Sequence, residues 1–571
     1  MSDQGWRIHI RRPFLASAEL APLAESANSR AKIKSMRRRD LFLAAAGGTA
    51  LWQSATTLGA AAAGGAPAAA GSFELDEISL SELAAGLAQG RWSSERLTEL
   101  YLARIEAIDR AGPRLNAIIE LHPKALELAR ALDQERQAGH VRGALHGLPI
   151  LVKDNIETGD GMATSAGSLA LANWRSPNDA FIIKQLRTAG ALIFGKTNLS
   201  EWANFRSTHS VSGWSGRGGQ TLNPYALNRT PSGSSSGSGA AAAASLCAAA
   251  VGSETDGSIT GPASFNGLVG LKPTRGLISR SGIIPLSHSQ DTAGPMARTV
   301  RDVAMLLGGM TGLDPTDAVT LESRNHIAAD YTRFLDPNGI KGARLGVARK
   351  FFADSAPLDR YLSECIAKLK DAGAEIIDPA DLPSHGKLGD PETEVLLYDF
   401  KNDLNRYLTR LPLDAPARTL EALIGFNEQH RAQEMPYFEQ EQFIQAQAKG
   451  PLTDPRYRKA RADCLRLART EGIDAVISKH RLDAIVTLTA GPPWLIDRVN
   501  GDSDTGGCTT PAAVAGYPHI SVPSGLYRGL PLGLSFFASA WSEPTLLKLA
   551  FAWEQQTLAR RRPSFAATSD F

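Results

Sequence analysis

The chain is poor in the residues that would make it a metal protein or a disulfide-stapled one. Its four cysteines, Cys247, Cys365, Cys464 and Cys508, lie far apart and show no C-x-x-C spacing. They predict neither a zinc site nor a disulfide framework, and read as buried thiols. Its eleven histidines show no H-E-x-x-H or other ligand spacing, so no metal or cofactor is implied. Charge of one sign is also lacking, with 61 Lys and Arg against 59 Asp and Glu. The first 70 residues hold nine basic and four acidic residues, which leaves 52 against 55 in the remainder. That balance predicts no basic face for nucleic acid. No apolar run reaches the length of a membrane span, because the one candidate, around Leu41 to Trp52, is broken by Gly47 and Gly48 and ends at Gln53.

What the chain does have is Arg229 to Thr274, RTPSGSSSGSGAAAAASLCAAAVGSETDGSITGPASFNGLVGLKPT. Glycine lets backbone N–H groups approach a ligand closely, because no Cβ intervenes. Pro231 to Gly239 and Gly252 to Ser258 therefore read as two serine-bearing loops brought to one site by a buried helix from about Ala240 to Ala250. A Gly/Ser run standing alone is usually a flexible linker. This one runs straight into an apolar alanine segment and a second glycine loop, which a linker does not.

The order PSGSSSGS, then the serine of TDGSITGPA 24 residues after Ser234, then NGLVGLKPT, resembles the amidase signature family of serine hydrolases. The resemblance implies a nucleophile at Ser258, a bridging serine at Ser234 preceded by a cis peptide bond, and a general base at Lys153 in GLPILVKDN. Their chemistry is plausible in its own right. A serine hydroxyl is a poor nucleophile until a base takes its proton, and Ser-Lys pairs are an alternative to Ser-His. Lysine serves as a base only when neutral, and desolvation at the end of the apolar run LPILV supplies that. The N–H groups of Thr255, Asp256, Gly257 and Ser258 can receive an oxyanion. Ser258 is also a candidate N-cap for the helix that follows. Ser235, Gln290 and Asp291 read as supporting residues that brace the two loops.

Around this core, residues 1–35 show no folding pattern, and 36–71 read as a twin-arginine export signal with an Ala/Gly-rich linker, translation starting at Met36. Export to the periplasm is the expectation. From residue 72 to 571 one large α/β domain is expected, a mixed sheet covered by helices, with a helical insertion at about 391–470 that shapes specificity or forms a lid. GALIFGKT, Gly190 to Thr197, matches a phosphate-loop pattern. The match is rejected because a strand fills the residues that would have to be a loop. GKTNLSEWANFRS resembles the family's pocket wall.

The resemblance extends through SGWSGRGG, SQDTAGPMA, YDFKNDLNRYL and VNGDSDTGGCTTPAAVAGYP to the bacterial peptide amidases. It implies hydrolysis of a peptide's C-terminal carboxamide, with small aryl or fatty acyl amides as the alternative. Asp256 departs from the family's usual G-T-D-T-G-G-S by putting a carboxylate where a glycine is common.

Overall fold

The computed structural model describes residues 73–570. The stretches read as an upstream extension and export signal, 1–35 and 36–71, lie outside the described residues. The chain enters on two short helices, Leu80–Ala88 and Ser94–Arg104, each begun by a serine N-cap, Ser79 and Ser93. Such a cap satisfies one of the N–H groups that a helix start leaves bare. Ser79 also forms a reciprocal capping box with Glu82.

The strands follow in chain order: β1 (Ile118–Leu121), β2 (Pro149–Lys153), β3 (Leu192–Thr197), β4 (Trp214–Ser215), β5 (Gly219–Gln220), β6 (Ala249–Glu254), β7 (Val269–Lys272), β8 (Thr292–Ala297), β9 (Arg344–Val347), β10 (Glu375–Ile377), β11 (Ala484–Leu488), β12 (His519–Tyr527) and β13 (Leu530–Phe537). Among the described residues β4 and β5 pair as a short hairpin, and the other eleven form one mixed sheet in the order β1-β3-β2-β6-β8-β7-β12-β13-β11-β9-β10. β2 runs parallel to both β3 and β6, whereas β6, β8, β7, β12 and β13 alternate antiparallel. Every residue of β2, β3 and β6 is buried, as strands covered on both faces must be, and their near-continuous apolar sequence reflects it. β3 takes up Leu192 to Thr197, so the phosphate-loop match is a strand, as its rejection required.

One expectation fails inside the alanine run. The helix spans Ser236–Ala243, not Ala240 to Ala250, and the chain is already in β6 at Ala249. A run of alanine has no apolar periodicity with which to tell a buried helix from a buried strand. The helix also starts within the first glycine loop. A Cβ at Gly237 would drive into the carbonyl oxygens of Ala117 and Asn198, so this glycine permits close packing of the helix on its neighbours. Likewise Gly252 to Glu254 are strand, and the second loop is only Thr255 to Ile259. The four cysteines are free and buried.

The helical insertion comprises Gly389–Leu408, Leu420–Gln429, Arg431–Glu434, Glu441–Gln447 and Pro455–Leu465. Leu397, Phe400, Leu404, Leu408, Leu420, Leu423 and Phe443 close a hydrophobic cluster of their own against Trp202, Phe205 and Ile284. No helix among the described residues is long and apolar enough to cross a membrane.

Candidate active site

Lys153 ends β2 and is completely buried. Its Nζ donates to Ser234 Oγ at 2.8 Å, to Ser253 Oγ at 3.0 Å and to the Ser253 carbonyl at 3.1 Å. Burial pulls the amine down to about 7, against the opposing pull of Asp291 and Glu254. Near neutral pH an appreciable fraction of Lys153 is therefore uncharged, and its lone pair can then accept the Ser234 proton across the same 2.8 Å contact. The Gly233–Ser234 peptide bond is cis, as the resemblance implied. Ser235 knits the two serine segments together. Its N–H donates to the Ser258 carbonyl at 3.2 Å, and its hydroxyl donates to the Ser253 carbonyl at 3.1 Å while accepting the Ser253 N–H at 3.2 Å.

Ser258 follows the turn Thr255-Asp256-Gly257, and its hydroxyl bonds no partner among the described residues. The N–H groups of Thr255, Asp256, Gly257 and Ser258 likewise donate to no protein acceptor there. Four bare donors in succession beside a free hydroxyl can receive a developing negative charge. Gly257 holds a φ of +73°, and a Cβ there would stand 3.0 Å from Thr509 Oγ1, so the turn requires glycine twice over. Ser258 is not the N-cap of the next helix. That helix, Thr260–Phe265, starts after Ile259, and Glu254 Oε2 accepts the N–H groups of Ile259 at 2.7 Å and Thr260 at 3.0 Å. A carboxylate serves the same orphan donors as a capping serine and suits the positive end of the helix.

Asp291 and Gln290 both hydrogen-bond to Thr255 in the turn before Ser258. Asp291 accepts the Thr255 hydroxyl at 2.6 Å while holding the N–H groups of Leu286 and Ser287 at 2.8 and 2.9 Å. Gln290 Nε2 donates to the Thr255 carbonyl at 3.3 Å and to Glu392 Oε1 at 2.8 Å. The Asp256 carboxylate accepts the Thr510 hydroxyl at 2.6 Å. Burial pushes it up to about 6.

A cavity of about 590 Å³ meets this group of residues. Ser234, Ser253 and Thr255 border it, with an apolar wall from Ile283 to Leu286 and with Asp403, Arg406 and Tyr407 supplied by the insertion helix Gly389–Leu408. Ser258 is not part of this lining. The insertion thus contributes to the wall of the cavity. Glu157, at the wall, accepts Tyr407 Oη at 2.8 Å and Arg410 Nη2 at 3.0 Å. Ala203 brings the GKTNLSEWANFRS segment to the same wall. Trp202, Ala203 and Asn204 there hold left-handed φ values of 48°, 57° and 67°, a conformation that costs roughly 1–2 kcal/mol for each non-glycine residue. Hydrogen bonds from Trp202 N to the Ala166 carbonyl, Ala203 N to the Ser200 carbonyl and Asn204 Nδ2 to Ser212 Oγ, all at 3.0 Å, hold the turn in place.

The amidase family model matches residues 96–547. The chain belongs to the amidase family. This amidase is 40% identical to a probable amidase of Arabidopsis thaliana, over 87% of this chain and 93% of that one. It is 33% identical to a glutamyl-tRNA(Gln) amidotransferase subunit of Pseudomonas fluorescens, over 85% and 98% of the two chains. Among solved structures, the native peptide amidase of Stenotrophomonas maltophilia is 49% identical, with a TM-score of 0.83 over 86% of this chain and 100% of that one.

Several residues of the amidase site escaped the sequence reading. Ser253 takes two bonds from Lys153, and Asn155 Nδ2 donates to the same Ser253 hydroxyl at 2.9 Å. Both lie in the stretches that carry the resemblance, within a few residues of Lys153 or Ser258, so sequence proximity was the available signal. Glu254 is likewise four residues from Ser258. Glu392 comes from a distant segment with no local signal, and Thr510 lies in a stretch that carries the resemblance without a role having been assigned to it.

Proposed function

We propose that this amidase hydrolyses the C-terminal carboxamide of peptides to the free acid and ammonia through an acyl-enzyme on Ser258. The contact of the buried Lys153 amine with Ser234 at 2.8 Å carries the reading, because it puts a base that can be neutral at about pH 7 within proton-transfer reach of the hydroxyl of the Gly-Ser loop. The Ser258 hydroxyl attacks the carbonyl carbon, its proton passes to Ser234 Oγ, and the Ser234 proton passes to Lys153. The bare N–H groups at 255–258 take the oxyanion, each worth about 3 kcal/mol in comparable sites. Collapse breaks the C–N bond as Lys153 returns its proton through Ser234 to the departing nitrogen, and ammonia leaves. Water then repeats the sequence on the ester, releasing the acid and restoring Ser258.

The peptide-amide substrate is supported by the 49% identity to the Stenotrophomonas maltophilia peptide amidase, against 33–34% to the amidotransferase subunits, and by a cavity large enough for a few residues. The apolar wall Ile283–Leu286 favours a second reading, small aryl or fatty acyl amides handled by the same chemistry. Ammonia release from a short peptide amide, with its internal bonds intact and with the free acid and an aryl amide in parallel, separates the two. Turnover of the aryl amide with the peptide amide untouched would move the protein to the second. Export by the twin-arginine route remains a proposal from Arg37, Arg38 and Arg39 ahead of the apolar segment. Fractionation of the source cells and the mass of the mature chain would test it.

A further inference from the structure

A small recess adjoins the main cavity, and the two share Asn155, Ala203, Ile284, Pro285 and Leu286 in their walls. Its free volume is about 10 Å³, room for one water-sized group. The remaining lining is apolar: Ala166, Leu199, Trp202 and Phe400. Two buried polar atoms on residues that line this recess have no partner among the described residues. They are the Trp202 indole Nε1–H, on a residue 3% exposed, and the Asn155 side-chain Oδ1, on a residue 6% exposed. An unsatisfied buried donor and an unsatisfied buried acceptor at one small space call for a group that accepts once and donates once. A hydroxyl does both, whereas a methyl group does neither.

The recess lies beside the proposed chemistry. Asn155 Nδ2 is committed to Ser253 Oγ, which Lys153 also bonds, and this fixes which end of the amide is left over. Leu286 donates to Asp291, which holds Thr255. The left-handed turn at Trp202, Ala203 and Asn204 gives the recess an origin in the backbone, since strain of this kind gathers where a side chain must be aimed. Here it brings Trp202 and Ala203 to the wall.

We propose that this recess is a side-chain subsite for the residue that bears the amide, and that Trp202 and Asn155 select a hydroxymethyl group there. The assignment rests on the peptide-amide reading above. Serine fills the space and pairs both atoms. Alanine displaces water without replacing its bonds, and leucine is too large to enter.

The test compares kcat/KM for ammonia release from the N-acetyl amides of serine, O-methylserine, alanine and leucine. We expect serine to exceed alanine about tenfold, with O-methylserine no better than alanine and leucine below it. In Trp202→Phe, which removes only the indole donor and some ring area, the serine-to-alanine ratio should fall to near one. A ratio at or below one in the parent enzyme overturns the assignment, as does a tenfold ratio that persists in Trp202→Phe. Should that variant fail to fold, the parent series with O-methylserine still decides. No release from any of the four, with an aryl amide turned over, would overturn the peptide-amide reading and this one with it.

Discussion

The serine loops and the helical insertion face the same cavity but are built in different ways. Around Lys153, Ser234 and Ser258 most bonds run between neighbours within two short stretches, 229–274 and 149–155, carried on adjacent parallel strands of one sheet. The insertion reaches its targets singly across the fold, Glu392 to Gln290, Asp399 to Ser287, Asp403 to His288 and Tyr407 to Glu157. The first region has little freedom to vary without losing the chemistry. The second can change residue by residue with smaller effects.

Substitutions should therefore fall into two ranks. Ser258→Ala removes the nucleophile and should lower kcat by at least about 10⁴-fold, with an unchanged circular dichroism spectrum and melting temperature. Residual turnover within tenfold of the parent would show that another group attacks. Lys153→Ala should cost about 10³–10⁴-fold in kcat/KM at pH 7, with partial recovery at high pH where hydroxide can replace the base. In the parent, a base lowered to about 7 must lose its proton before it can act. kcat/KM should then fall about tenfold per unit as pH drops below about 7 and level off above it. A profile flat from about pH 5 to 8 would remove Lys153 from the proton path.

The insertion should give smaller effects, and of another kind. Glu392→Ala leaves Gln290 short of a partner and loosens its hold on the Thr255 carbonyl, which should lower kcat about tenfold with little change in KM. A rise in KM with kcat unchanged would mean that Glu392 touches substrate instead. Arg410→Ala removes one half-exposed partner of Glu157, which keeps Tyr407. KM should shift no more than about threefold and stability by less than about 1 kcal/mol. A larger fall in stability would make the insertion part of the folding core rather than a wall.

The same contrast decides how much was legible. Lys153, Ser234, Ser258 and the bracing pair Gln290 and Asp291 could be read because their motifs are local and contiguous. The sheet could be read from apolar runs such as LPILV and ALIF, each ending where glycine or polar residues begin, although the second strand runs on through Gly195 to Thr197. The alanine stretch misled because residues without size or branching leave no period, and the switch to β6 at Ala249 is imposed by its pairing with β2. The N-cap assigned to Ser258 failed because serine is a general capping residue, while the carboxylate that does the work, Glu254, stands before the turn. The contacts of Glu392, Tyr407 and Thr510 were out of reach, since a sequence stretch does not tell which distant residue it meets. The recess beside Trp202 was hidden for a further reason, because nothing in EWAN announces three successive left-handed residues.

Lys153, the proposed base, ends β2, and the turn that carries Ser258 continues β6, and these two strands lie in the interior of the eleven-stranded sheet. Their spacing is set by the backbone ladder and can be lost only when the sheet itself comes apart. The cavity wall has no such ladder behind it, since its helices reach the core through a packed apolar cluster and scattered hydrogen bonds. Under mild denaturant or gentle heating this enzyme should then become less discriminating before it becomes less active, accepting amides it normally refuses while its rate on good ones persists.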